Sequence, residues 1–291
     1  MPRVSLNGVD LYYEVTGEGF PVIFSHEYAG NYRSWDPQVK FFDRLYQCVT
    51  YCHRGFPPSS VPNDLDAYSQ DLLVEDLHGL VQHLGFDQAH FVGFSMGANV
   101  LLSFVIRYPE LCRSAVLVGC GAGSVGRERF EQDVKEVVEL LESRGIDAFA
   151  EAYANGPTRQ PFKRKDPKGW AEFRDELAKH SPIGQSLTIQ GVQHRRPTVF
   201  SLEDQMKTIK VPTLVLLGDE DEPAMDSSVF MKRKIASSGL AVVPQSGHTV
   251  NLEEPELFNQ LVMDFLRMAE TGRWATRGTV TTSLMPTDQA G

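Results

Sequence analysis

Ala89-His90-Phe91-Val92-Gly93-Phe94-Ser95-Met96-Gly97-Ala98-Asn99-Val100 reads as an apolar strand that runs directly into a G-x-S-x-G turn and then into a helix. The context matters more than the five-residue match. A serine on a sharp strand-to-helix turn is held at a strained backbone angle, and the flanking glycines let strand and helix approach closely. The Ser95 hydroxyl is thereby expected at the carboxyl end of a sheet. The helix that begins just after it aims free N–H groups and the positive end of its dipole at any anion formed there. The pattern predicts a nucleophile; a plain Gly/Ser turn is the alternative it must displace.

A serine hydroxyl at its ordinary pKa is a poor nucleophile, so the reading requires a base and an orienting acid. Two downstream stretches qualify. Val211 to Gly218 is a buried strand followed at once by Asp219-Glu220-Asp221-Glu222, which puts carboxylates at the edge of the sheet that carries Ser95. Ser246-Gly247-His248 follows the next strand, at Leu240 to Val243, again at that edge. His248 can take the Ser95 proton and return it to a leaving group, while a carboxylate fixes the imidazole tautomer. His78 and His83 lie on an amphipathic helix and His90 opens a strand, so packing or solvent accounts for them. His26 and His53 stand at strand ends, where hydrogen bonds that support the site are the modest expectation.

Outward from these motifs the period alternates. Val4 to Val15 reads as a hairpin around Asn7-Gly8, Pro21 to Ser25 and Leu45 to Tyr51 as strands, Leu72 to Leu84 as a helix, Ala98 to Tyr108 as the helix after the turn, and Ser114 to Gly119 as the next strand. Strands alternating with helices imply βαβ units and parallel pairing. Ligands then bind beyond the carboxyl ends of the strands. From Gly121 to about Lys207 the strand signal gives way to helical periodicity at Phe130 to Leu141, Phe149 to Ala154, Trp170 to Ala178 and Gly184 to Val192. This stretch is expected to lie across the sheet as a lid. The basic run from Lys163 to Lys168 reads most simply as a solvated loop, with attraction of an acidic substrate as the lesser reading, and His194-Arg195-Arg196 invites the same pair. A helix from Ser227 and another from Pro255 to about Met268 complete the periodic part. The division is residues 1–122 and 208–270 as a core in two parts, 123–207 as a helical cap, and 271–291 as a tail without periodicity, expected to be mobile unless it packs on a partner chain.

Composition sets the outer bounds. The 291 residues are 42% hydrophobic and 23% charged, ordinary for a globular protein with a substantial core. A net charge of −10 argues against nucleic acid or an anionic membrane surface as partner. No run is long enough for a membrane span, and the first residues lead straight into a strand instead of a signal peptide, so the expected location is cytoplasmic. Cys48, Cys52, Cys112 and Cys120 form no zinc-binding spacing and are expected to be small buried hydrophobes, Cys52 and Cys120 near the rim of the site. No metal or organic cofactor is implied. Oligomeric state, monomer or homodimer, is left open.

The elbow at Ser95, the acidic turn and His248, in that chain order, resemble the α/β-hydrolase fold superfamily, specifically a serine hydrolase with a helical lid. Arg54-Gly55-Phe56 and the run Gly247-His248 to Pro255 resemble two further loops of that family. The resemblance implies an α/β protein with a mostly parallel eight-stranded sheet flanked by helices and a cap inserted after the sixth strand. It also implies Asp221 as the acid among Asp219 to Glu222, and an oxyanion hole from the backbone N–H groups of Met96 and Tyr28. Two residues depart from the family pattern: Glu27 follows His26 where glycine is usual, and Cys52 stands where aspartate is common. A carboxylate facing the oxyanion would oppose the developing charge, so Glu27 must point away, pair with a cation or be protonated. The implied activity is hydrolysis of a small-molecule carboxylic ester or lactone. The alternatives are hydrolysis of a carbon–carbon bond in a diketone from aromatic degradation, with perhydrolysis as a side activity, and a weakly catalytic ligand-binding protein.

Overall fold

A computed structural model describes residues 2–278 of the chain. Eight strands form one sheet in the order β1-β2-β4-β3-β5-β6-β7-β8. They are β1 (Arg3–Leu6), β2 (Val9–Thr16), β3 (Phe20–Ser25), β4 (Tyr46–Tyr51), β5 (Ala89–Phe94), β6 (Cys112–Val118), β7 (Thr213–Gly218) and β8 (Ser238–Val243). The β1/β2 and β2/β4 pairs are antiparallel, β1 and β2 being the hairpin whose turn holds Asn7 and Gly8 at positive φ. Every other pair is parallel.

Side chains alternate across the sheet because successive residues of a strand point to opposite faces. Ile23, Val49, Phe91, Ala115 and Leu117 join one apolar cluster, whereas Val22, Phe24, Val92, Val116 and Val118 join the other. Both faces are covered, which is why the central strands read as continuous apolar runs. Helix α1 (Asp36–Phe42) contributes Phe42 to the second cluster; α2 (Gln70–His83) and α3 (Met96–Arg107) cover the first. Between β6 and β7 stand α4 (Arg127–Ala154), α5 (Gln160–Lys165), α6 (Pro167–Leu177), α7 (Pro182–Thr188) and α8 (Glu203–Thr208). After β7 come α9 (Glu222–Lys234), the short α10 (Val250–Glu253) and α11 (Pro255–Glu270), whose Phe258, Val262 and Leu266 complete the second cluster. Among the described residues no helix is long and apolar enough to cross a membrane.

The helical segment departs from the expected pattern at several points. The two stretches Phe130–Leu141 and Phe149–Ala154 are separate helices as expected, joined within α4 across a kink where Gly145 leaves helical geometry at φ 77°, ψ −174°; the departures lie further on. The basic run is no loop: Lys163 to Lys165 close α5, whose first turn buries Pro161 and Phe162, and two of its cations find partners on the core. Arg164 bonds Glu220 at 2.7 Å, and Lys165 bonds Glu254 at 2.6 Å and Ser246 at 2.9 Å. Arg196 is neither solvated nor a lure for substrate. It is buried and donates to the carbonyl of Ala122 at 2.7 Å, tying together the two ends of the segment. Helix α9 starts five residues earlier than Ser227, at Glu222, with Pro223 in its first turn.

The start of the tail is docked on its own chain. Trp274 packs edge-on to Phe265 with ring centroids 4.6 Å apart, lies over Gly239 and donates to the carbonyl of Ser237 at 2.7 Å. The mobility expected for the remainder concerns residues 279–291, outside the described residues.

Candidate active site

Strand order brings the site together. The chain leaves β3 to pair β4 on one side and returns to pair β5 on the other, so the loops that follow β3 and β5 diverge around a crevice. The register keeps the ends level: Ser25 faces Gly93, Phe94 faces Val118, and Val118 faces Leu216. The six parallel strands therefore end at one edge, where the loops after β3, β5, β7 and β8 carry the candidate residues.

Ser95 sits at φ 52°, ψ −106°, a conformation costly for a residue with a side chain. Its N–H donates to Val118 O at 2.8 Å, and its carbonyl accepts from Asn99 N at 3.0 Å and Asn99 Nδ2 at 2.9 Å. The flanking glycines are steric necessities. A Cβ on Gly93 would stand 2.6 Å from Gly97 O, and one on Gly97 would stand 2.2 Å from Ser25 O.

Asp221 caps α9 and is fully buried; its Oδ2 lies 2.7 Å from Nδ1 of His248. That bond places the proton on Nδ1 and leaves Nε2 as an acceptor. Ser95 and His248 are almost enclosed, 6% and 7% exposed, and no hydrogen bond joins their side chains among the described residues. Such contacts commonly tighten only when substrate arrives. Gly119, at φ 54° just after β6, is the shared neighbour of Asp221 and His248. A Cβ there would lie 3.1 Å from both Asp221 Oδ2 and His248 Cε1.

The loop that carries His248 is held from two sides. The Glu253 carboxylate accepts from Gly247 N at 2.8 Å and Thr249 N at 3.1 Å. From the helical segment, Thr158 O accepts the N–H of His248 at 3.0 Å.

The loop after β3 starts with His26, whose Nδ1 donates to Glu27 O at 2.6 Å and whose Nε2 accepts from His53 N at 3.1 Å. Burial drives the His26 pKa down from the ordinary 6.5 to about 3, so the ring is a neutral strut. His53 bonds Ser25 Oγ at 3.0 Å and is likewise held neutral by burial. Glu27 is buried and meets the Arg159 guanidinium in a two-pronged pair, with Nη1 3.1 Å from Oε1 and Nη2 on Oε2. Burial alone would depress the Arg159 pKa; the Glu27 carboxylate and the Tyr153 hydroxyl together hold the group above its ordinary value. Of the three outcomes open to Glu27, pairing with a cation is the one adopted. Neither Tyr28 N–H nor Met96 N–H meets a backbone acceptor among the described residues, and Met96 opens α3.

Cys52 and Cys120 lie fully buried at strand ends, and burial pushes both thiols up to about 12, far from reactivity at neutral pH. Gly119, Thr158, Arg159 and Gln185 are the site-shaping residues that the sequence reading passed over, and Glu253 entered it only as part of a family-like loop. Glu27 called for a cation, but nothing in the sequence picked out Arg159.

Residues 21–255 match the alpha/beta hydrolase fold. A thermophilic esterase from Thermogutta terrifontis is similar at 26% identity and TM-score 0.82, covering 92% of this chain and 99% of that one. Est816, described as an N-acyl homoserine lactone degrading enzyme, is similar at 26% identity and TM-score 0.76, covering 91% and 100% of the two chains. 3-Oxoadipate enol-lactonase 2 of Acinetobacter baylyi is 27% identical over 242 residues, 83% of this chain and 86% of its own. A match over most of the chain, joined to this strand order, shows that the protein belongs to the alpha/beta hydrolase fold family.

Proposed function

We propose that the protein is a serine hydrolase that cleaves a carboxylic ester or lactone through an acyl-enzyme on Ser95. One observation carries the proposal: a serine in a left-handed elbow shares a sheet edge with a buried Asp221–His248 pair at 2.7 Å. In the first half-reaction His248 Nε2 removes the Ser95 proton as Oγ attacks the carbonyl carbon. The N–H groups of Met96 and Tyr28 receive the oxyanion, and collapse of the tetrahedral intermediate passes the proton to the leaving oxygen. Water, activated by the same imidazole, then releases the acid. Asp221 stays ionised throughout, orienting the ring and stabilising its cation.

In this reading residues 123–207 act as a cap over the core formed by 1–122 and 208–270. Kinship with an esterase, an N-acyl homoserine lactone degrading enzyme and an enol-lactonase supports an ester or lactone as substrate class. Four free, buried cysteines suit a reducing cytoplasm.

The test is release of p-nitrophenol from a chain-length series of its esters. Activity on short esters should fall by at least about 10⁴-fold in Ser95→Ala. Turnover that survives the substitution would overturn the reading.

A further inference from the structure

The loop after β3 is held from outside the core as well as from within it. Glu27 and Tyr28, consecutive residues of that loop, each meet a different part of the helical segment between β6 and β7. Glu27 takes both prongs of Arg159. Tyr28 exchanges two bonds with Gln185 of α7: its hydroxyl donates to Gln185 O at 2.9 Å, and its carbonyl accepts from Gln185 Nε2 at 3.1 Å. The second proton of that amide goes to His180 Nδ1 at 2.7 Å, which fixes the amide's orientation. All these side chains are buried.

The same short turn also reaches the base. Thr158 O accepts the N–H of His248, and a Cβ on Gly247 would stand 2.3 Å from that oxygen. Adjacent residues, Thr158 and Arg159, therefore hold the histidine loop and the oxyanion loop at once. Rigid contact of this kind matters because oxyanion donors work only at hydrogen-bond distance from the developing charge.

We propose that Arg159, acting through Glu27, and Gln185, acting directly on Tyr28, are positioning residues that set the Tyr28 N–H, so that the oxyanion hole is assembled by the helical segment instead of by the core alone. The proposal rests on the reading of Ser95 as nucleophile and Tyr28 N–H as donor. Glu27 is then the core half of a latch, and the glycine usual in the family at its position would leave nothing for Arg159 to grip. The buried pair is electroneutral, so it holds the loop without adding net negative charge beside the oxyanion.

The experiment measures kcat and KM for p-nitrophenyl acetate in Glu27→Gln, Arg159→Met, the double variant and Gln185→Ala. Each rate is divided by the number of Ser95 sites that a fluorophosphonate labels to completion, with Ser95→Ala as the unlabelled control. This normalisation removes any fraction that failed to fold. The expected result is a loss of about 10- to 100-fold in kcat per site with KM changed by less than about threefold, since a small misplacement of a catalytic donor acts on the transition state. Because Glu27 and Arg159 act as one unit, the double variant should lose no more than the worse single. Labelled variants whose kcat per site stays within about twofold of wild type, or whose whole loss lies in KM, would overturn the positioning roles while leaving the Ser95 reading intact. If the Arg159 variants do not fold, Gln185→Ala alone decides by the same criterion. Wild-type turnover without Ser95 dependence would overturn both.

Discussion

Asp221 presents one carboxylate oxygen to His248 and keeps the other, Oδ1, buried without a partner among the described residues. Its value to the site is therefore its charge and its grip on one imidazole tautomer. Asp221→Asn should preserve the fold, since the side chain is nearly isosteric, yet lower kcat on a p-nitrophenyl ester by about 10⁴-fold. Gly119→Ala tests the packing behind that pair. A methyl group there enters within 3.1 Å of both Asp221 and His248, and the residue stands at φ 54°. The variant should lose activity well beyond its loss of thermal stability; equal losses would reduce Gly119 to a backbone role. Ser95 and His248 were legible because their own chain neighbours, glycines at strand ends, encode their placement. Asp221 needed the family resemblance to be chosen among four adjacent acids. Arg159 and Gln185 were not legible, since each meets its partner across 132 and 157 residues of chain. Nothing local in either sequence marks the contact.

Elements followed their periodicity closely where both faces of the sheet impose it, and less well where packing alone decides. Gly97→Ala would put a methyl group 2.2 Å from the Ser25 carbonyl, so β3 and α3 must separate. Loss of soluble, folded protein or a large fall in melting temperature is expected, and a stable, fully active variant would refute the steric argument. The helical start at Gln160 escaped the sequence reading. Helix α5 is short, and burial of Phe162 against Phe173, ring centroids 6.3 Å apart, overrides the polarity of the lysines beside it. The docked tail is a second such case. A single tryptophan in a polar stretch has no period, but Trp274 fills the space over Gly239. Trp274→Ala should cost about 1–3 kcal/mol in a urea titration, from lost apolar contact and one hydrogen bond. No measurable change would mean the tail adds nothing to stability.

At the scale of the whole molecule, buried histidines set the response to acid. Burial lowers His26 to about 3, and His90 and His180 to about 4, from an ordinary 6.5. The folded state therefore binds fewer protons than the unfolded chain between pH 6.5 and about 4. Their contribution to stability is complete above pH 6.5 and is lost as pH falls toward their folded values, at about 1.4 kcal/mol per pH unit for each ring. Urea midpoints should drop steeply from pH 7 to pH 4, and a flat profile would show that these rings charge without unfolding. The fold class, the parallel core of the sheet and the edge that holds the site were all readable from alternation and chain order, because covering both faces leaves so few arrangements. How the helical segment grips the loops after β3 and β8 was not, since that depends on buried polar pairing between distant parts of the chain. The most direct test of the acyl-enzyme is rapid-quench mass spectrometry of wild type and Ser95→Ala during turnover of p-nitrophenyl acetate. An acetyl group on the peptide that contains Ser95, absent from the variant, is the predicted result. Steady turnover with no acyl group on that peptide at any quench time, or with the label on another residue, would contradict it.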